Sequence, residues 1–175
     1  GNVKTIENMR TLFQLGIEKI VVNDLLFDDI NLVKEAIKLF GSQSIVASVD
    51  IKKNVWGVRK VYRHSNKKIL NLTPIEYVRQ LESLGVGEIL LYSVDRDGTW
   101  EGMDIDLIKE VTNKTHLPVI SCGGVGKLKD IEDGILNGSS GVAIGSMCVY
   151  SKKDMGVLIK FPKKNDINKI IENYE

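Results

Sequence analysis

The sequence predicts an α/β fold of repeated strand–helix units around a parallel sheet, and three observations predict it. Helical and strand patterns alternate from one end of the 175 residues to the other. The strand patterns are nearly continuous in apolar residues, as strands buried on both faces must be. Polar residues gather where those runs end, above all in Glu88-Ile-Leu-Leu-Tyr-Ser-Val-Asp-Arg-Asp-Gly-Thr99, where an apolar run opens into two carboxylates and a glycine turn. Folds of this class bring side chains from neighbouring strands together at the carboxyl ends, so function is sought there.

Ile6, Met9, Leu12 and Phe13 form one apolar helical face ahead of Gly16, and the first strand runs from Lys19 to Asn23. A helix from about Asp29 to Phe40 presents Leu32, Val33, Ala36, Ile37 and Phe40, with Gly41 as its C-terminal cap. The second strand spans Ser44 to Asp50. The stretch from Ile51 to Leu72, with Trp56-Gly57 near its middle, is long for a strand-to-helix connection and predicts a hairpin, a lid or a binding loop. Thr73 as N-cap, Pro74 at the first helical position and Glu76 completing a capping box start the next helix, which Gly85 stops. Strands from Glu88 to Val94, Pro118 to Cys122 and Gly141 to Ser146 complete the pattern. The apolar helix faces lie on the sheet and imply no site.

With 43% hydrophobic and 27% charged residues, the chain can bury a core as one domain over 1–175, or as part of one. No run of about eighteen apolar residues occurs, and the first five residues lack the apolar region of a signal peptide, so no membrane is expected and the location is cytoplasmic. Cys122 and Cys148 both lie in apolar runs and read as reduced core residues, which gives no zinc or other metal site. A formal charge of +1 argues against nucleic acid as a partner. Lys52, Lys53, Lys60, Arg63, Lys67 and Lys68 still concentrate positive charge in one segment, suited to an anionic substrate or simply to a solvated hairpin.

The chemistry-bearing residues follow the strand ends. Asp50 closes the second strand, and Asp95 and Asp97 follow the third, so carboxylates from two strands face one mouth. Two carboxylates held close raise one pKa and suit acid–base work, whereas a lone Asp after a strand merely caps a turn. Ser121-Cys122-Gly123-Gly124-Val125-Gly126 and Ala143-Ile144-Gly145-Ser146-Met147 end the last two strands with glycine. Glycine lets phosphate approach backbone N–H groups at such turns and at a following helix N-terminus; the alternative is tight turns without a ligand. His116 stands at a strand's amino end and reads as structural, and His64 reads as a solvated loop residue.

These residues resemble the cyclase subunit of imidazole glycerol phosphate synthase, a (β/α)8 TIM barrel with two phosphate sites. The resemblance runs to about Met147 through Gly16-Ile-Glu-Lys-Ile-Val-Val-Asn23, Phe40-Gly-Ser-Gln43, Ser48-Val-Asp50, Gly87 to Thr99 and Gly123-Gly124-Val-Gly-Lys127. It implies that Asp50 is the catalytic carboxylate on barrel strand five and that Asn23 contacts substrate. Asp97, Gly98, Thr99, Gly123, Gly124, Gly145 and Ser146 are implied as phosphate and substrate contacts. Lys19 and Glu88 are implied as half of a charged gate through which ammonia enters from a glutaminase subunit, with Glu18 and Gln43 near that partner's surface in a heterodimer. No cofactor is implied. The reaction would be a lyase and cyclase step: ammonia-derived nitrogen enters a bisphosphorylated formimino-aminocarboxamide ribonucleotide, giving imidazole glycerol phosphate and an aminocarboxamide ribotide in histidine biosynthesis.

A barrel of this type needs roughly 250 residues, so the resemblance places the chain at the carboxy-terminal portion, strands four to eight, with about 75 residues before it. The partner carboxylate of Asp50 belongs to strand one, and the isolated chain is expected to be inactive. Four features depart from the family. Asp24 replaces a threonine after Asn23, which puts negative charge where phosphate would approach, and Tyr92 replaces a small hydroxyl. Lys68-Ile69-Leu70-Asn71 stands where the family has Lys-Asn-Thr-Gly, and the tail Gly156 to Pro162 looks more like paralogues that work with surface-polysaccharide enzymes. Two alternatives therefore stand: an ammonia-using synthase that modifies a sugar, and a non-catalytic phosphate-binding or scaffolding subunit.

Overall fold

The computed structural model describes residues 3–150 and 156–172. These form two compact units, one up to Leu90 together with Thr115–Pro118, the other Leu91–Lys114 with the described residues from Val119 onward.

In the first unit, helix α1 (Ile6–Gln14) starts where the Thr5 hydroxyl accepts from the Asn8 N–H at 3.1 Å, and it buries Met9 completely. Strand β1 (Ile20–Val22) leads into a short helix α2 (Leu25–Asp28) and then α3 (Ile30–Phe40). Asp29 caps α3 by accepting from Leu32 N–H at 3.0 Å. Gly41, at φ +88°, ends it in a conformation that favours glycine. Strand β2 (Ile45–Lys53) is buried from Ile45 to Ile51 and pairs in parallel with β1, Ile20 opposite Ile45 and Val22 opposite Ala47.

The long segment after Asp50 is a meander. Strand β2 runs three residues past the expected boundary because β3 (Arg59–Arg63) folds back antiparallel on it, Ile51 opposite Val61 and Lys53 opposite Arg59. Asn54 builds the turn: its side-chain oxygen accepts from Trp56 N–H at 3.0 Å and Val58 N–H at 2.9 Å. Strand β4 (Lys68–Ile69) then pairs antiparallel with β3. Helix α4 (Pro74–Leu84) has the expected capping box, Thr73 Oγ1 accepting from Glu76 N–H and Glu76 Oε2 from Thr73 N–H, and ends at Gly85 in the left-handed region. Strand β5 (Glu88–Ser93) follows and ends in the second unit.

The second unit continues with α5 (Ile105–Thr112), capped by the Asp104 carboxylate, and β6 (Val119–Cys122). Helix α6 (Leu128–Leu136) then crosses to β7 (Gly141–Ala143), parallel to β6 with Ile120 opposite Gly141. The expected last strand is shorter than its pattern: it stops at Ala143, and Ser146 opens a four-residue helix α7 (Ser146–Val149). Val157 bridges back to Tyr150, and α8 (Lys164–Glu172) has no counterpart in the sequence-based expectation. Both cysteines are free thiols. Among the described residues no helix is long and apolar enough to cross a membrane.

Candidate functional site

The two-residue period of β2 puts Ser48 and Asp50 on one face, 7% and 3% exposed. A carboxylate buried this far needs donors on its oxygens, and Asp50 has them on both. Ser48 Oγ donates to Oδ1 at 2.6 Å, and Asn23 Nδ2 donates to Oδ2 at 2.7 Å. Asn23 reaches it because the parallel register carries the end of β1 level with Ala47. His64 Nε2 lies 3.2 Å from Oδ2, brought there by the antiparallel return of β3.

Two expectations change here. Asp50 lies inside a strand rather than at its end, although it stands just beyond the stretch paired with β1. His64 is not a simply solvated loop residue: its ring is half exposed, engages Asp50, and meets the Tyr62 ring edge-on at 4.9 Å. Ser48 was missed although its two-residue offset from Asp50 signalled a shared face. His64 carried no such signal, since its place depends on a register set by the Asn54 turn.

Asp24 follows Asn23, and its charge is paired rather than bare. Arg63 donates from Nε to Asp24 at 3.0 Å and from its terminal nitrogen to Asp28, and the guanidinium sits over the Phe27 ring. Burial pushes the Asp24 carboxyl up, but hydrogen bonds from Ser65 and Arg63 and the guanidinium charge hold it below the ordinary carboxylate value. Phe27 stacks on Tyr77, whose hydroxyl is buried with no hydrogen-bond partner. Burial drives the Tyr77 phenol well above its ordinary value, Asp50 and Asp24 adding to the shift and Arg63 opposing it.

At the amino ends of the strands, Lys19 Nζ lies 2.5 Å from Glu88 Oε2, so the two residues expected to share a role form an ion pair. Glu88 is buried, and half of the Lys19 side chain faces solvent. Glu18 and Gln43 are both exposed.

In the second unit, the expected third-strand boundary moves back to Ser93, and Asp95 to Thr99 form a turn. Thr99 Oγ1 donates to the Arg96 carbonyl at 2.8 Å, Gly98 takes φ +69°, and Asp97 and Gly98 are exposed. Gly123 and Gly124, both at positive φ, pass so close to other backbone that a Cβ would stand 2.6 Å from the Ser93 carbonyl oxygen and 2.2 Å from that of Gly102. The N-terminus of α6, expected to offer amides to phosphate, is instead closed by its own side chain: Asp130 Oδ2 accepts from Gly126 N–H at 2.9 Å and Lys127 N–H at 3.0 Å. Gly145 precedes α7 at φ −112° with open space around it, and Ser146 opens that helix.

Comparison with known proteins gives the chain its relatives. The family described as histidine biosynthesis protein matches residues 1–154. A protein of Pseudomonas aeruginosa, provisionally named imidazole glycerol phosphate synthase subunit hisF2, is 39% identical over 171 residues, 97% of this chain and 67% of that protein. One of Vibrio vulnificus with the same provisional name is 41% identical over 138 residues, 79% of this chain and 50% of its own length. The imidazole glycerol phosphate synthase subunit HisF of Petrotoga mobilis is 33% identical over 164 residues, 91% of this chain and 65% of that protein. The chain thus spans between half and two thirds of these relatives. It belongs to the histidine biosynthesis protein family, as a relative of the cyclase subunit of imidazole glycerol phosphate synthase and with part of that family's (β/α)8 barrel fold.

Proposed function

We propose that this chain serves in a cytoplasmic cyclase that takes ammonia from a glutaminase partner and uses it on a phosphorylated substrate. The observation that carries this reading is the buried Asp50 with Asn23, Ser48 and His64 arranged on its two oxygens. Such a carboxylate can hold or move a proton while nitrogen adds to an electrophilic carbon. Asn23 contacts the substrate. Asp97, Gly98, Thr99, Gly123, Gly124, Gly145 and Ser146 contact its phosphates and nearby groups. Lys19 and Glu88 form part of the ammonia entry, supported by the ion pair between them.

The substrate on this reading is the bisphosphorylated formimino-aminocarboxamide ribonucleotide, cleaved and cyclised to imidazole glycerol phosphate. The test supplies that compound and ammonium salt to the protein expressed from its whole coding sequence and follows imidazole product. Asp50→Asn should lower ammonia-dependent turnover by about a hundred-fold or more; activity within a few fold of wild type rejects its assigned role.

A second reading is an ammonia-using synthase acting on a sugar of surface polysaccharide. Asp24, beside Asn23 and tied to Arg63, which also binds Asp28, favours it, because that ion-paired group replaces the hydroxyl the histidine-pathway enzymes carry. Turnover with a nucleotide-sugar and none with the ribonucleotide selects it. Tight binding of the glutaminase with no turnover of either leaves a non-catalytic phosphate-binding or scaffolding subunit.

A further inference from the structure

The second unit holds a cavity of about 340 Å³ that none of the residues assigned above lines. Trp100, Tyr150 and Phe161 form its aromatic walls, and Lys160, Lys163 and Asp166 are its charged groups. Aromatic walls with a few charged groups, at that size, are the make-up of a site for a small organic ligand. The chain beyond α7 builds one side: Leu158 N–H donates to the Val149 carbonyl and Lys160 N–H to the Cys148 carbonyl, each at 2.9 Å. Leu158 and Lys160, alternate residues of that run, both line the cavity. Phe161 is 72% exposed and Leu158 57%, so apolar surface stands open here that folding has not covered.

Trp100 is held at φ +62°, in the left-handed region that favours glycine, and its backbone presses on Gly126, where a Cβ would stand 2.8 Å from the Trp100 carbonyl oxygen. A bulky residue kept in that conformation is costly, and such strain clusters at ligand sites. The cavity's position agrees with this. Trp100 follows Thr99, Met147 follows Ser146, and Gly126 comes shortly after Gly124; all three line the cavity. Each of the three segments proposed above to contact phosphate therefore runs directly into its wall.

We propose that this cavity takes the base and ribose of a nucleoside diphosphate whose phosphates lie against those three segments. This rests on the phosphate contacts of the proposed function and deepens its second reading, in which the substrate is a nucleotide-sugar. Aromatic side chains stack on a flat base, and every base has a face to offer them. Lys160 and Lys163 bring positive charge to the diphosphate, and Asp166 accepts from a ribose hydroxyl. Inorganic phosphate or a sugar phosphate would leave the aromatic walls uncovered, and an uncharged apolar molecule would make no use of the two ammonium groups.

The experiment uses the protein from its whole coding sequence and titrates it with inorganic phosphate, uridine, uridine diphosphate and adenosine diphosphate, read by calorimetry and by tryptophan fluorescence. Wild type is compared with Trp100→Gly, which removes the ring while suiting the backbone at φ +62°, and with Phe161→Ala, which alters an exposed side chain. At least one of the diphosphates should bind about tenfold or more tightly than inorganic phosphate and quench the fluorescence. Each variant should weaken that binding by about tenfold while leaving inorganic phosphate within about twofold. The quench should disappear in Trp100→Gly. Diphosphates that bind no more tightly than inorganic phosphate, or whose affinity Trp100→Gly leaves within about twofold, overturn the inference and leave the phosphate contacts standing. Uridine that binds and quenches Trp100 where inorganic phosphate does not bind keeps the base site and overturns those contacts instead. Binding of none of the four overturns both.

Discussion

The Asp50 cluster and the glycine turns after β6 and β7 are built from opposite materials. Around Asp50 the geometry comes from side chains: a hydroxyl, an amide and an imidazole each take a place on one buried carboxylate. At Gly123 and Gly124 it comes from backbone, since each glycine sits where a neighbouring carbonyl leaves no room for a Cβ. A carboxylate buried with donors on both oxygens still loses its hydration, so the cluster needs a reason beyond folding. A glycine at a crowded crossing already has its reason in the fold, so its presence alone does not argue for a phosphate.

The largest stability effect should fall on the backbone-built region. Gly124→Ala combines a left-handed φ of +94° with a Cβ placed 2.2 Å from the Gly102 carbonyl oxygen. The conformational cost is about 1–2 kcal/mol and the forced overlap adds about 1–3 kcal/mol. Denaturant unfolding should show the midpoint falling with an unchanged slope. A loss below about 1 kcal/mol would mean that the close approach is not what selects glycine there.

The same contrast explains what the sequence revealed. Helices α1 and α3 were legible from their apolar faces and α4 from its capping box, with Gly41 and Gly85 marking stops where other residues strain, while the caps at Thr5 and Asp29 were not read. Asp50 was legible as a candidate because it ends an apolar run, whereas Asn23, Lys19 and Glu88 received their roles from the resemblance alone. A hairpin was one of the expectations for the segment after Asp50, but the strands and register of the β2–β3–β4 meander were not legible, since Arg59, Lys60 and Arg63 interrupt any apolar alternation and the register comes from the Asn54 turn. His64 and the pairing of Asp24 with Arg63 depend on that register, so local patterns missed both. The resemblance identified Asp50 without predicting the imidazole against it.

Beneath the side-chain cluster, Tyr77 tests how far its polar groups are satisfied. Its hydroxyl is buried without a partner, so Tyr77→Phe should raise stability by about 1 kcal/mol at neutral pH. The folded phenol titrates above the ordinary value of 10.0, mainly through burial and then through Asp50. A raised pKa gives stability that is fully present below the unfolded value and lost as pH rises past it. Above about pH 10 the wild type should therefore lose ground to Tyr77→Phe by up to about 1.4 kcal/mol per pH unit. Denaturation of both proteins across pH 8 to 11 reads that gap; curves that stay parallel would mean the hydroxyl reaches water or a partner.

Gly98 lies between the two extremes. It has the positive φ of a turn, +69°, but nothing within 4 Å of a built Cβ. Gly98→Ala should cost only the conformational part, about 1 kcal/mol. A cost equal to that of Gly124→Ala would erase the distinction between crowding and turn geometry.

The smallest stability effect is the most informative about ligands. Gly145 has φ −112° and open space around it, so neither conformation nor crowding in the fold calls for glycine. Gly145→Ala should leave stability within about 0.5 kcal/mol. If the residue is glycine because an anion approaches its backbone, the same methyl should weaken binding of inorganic phosphate, by about tenfold for 1.4 kcal/mol of lost interaction. Calorimetric titration of phosphate into wild type and variant measures this directly. Unchanged stability with weakened binding makes Gly145 a phosphate contact, and it would separate a glycine selected by a ligand from Gly123 and Gly124, whose places the backbone already requires. Unchanged stability with unchanged binding removes Gly145 from the site.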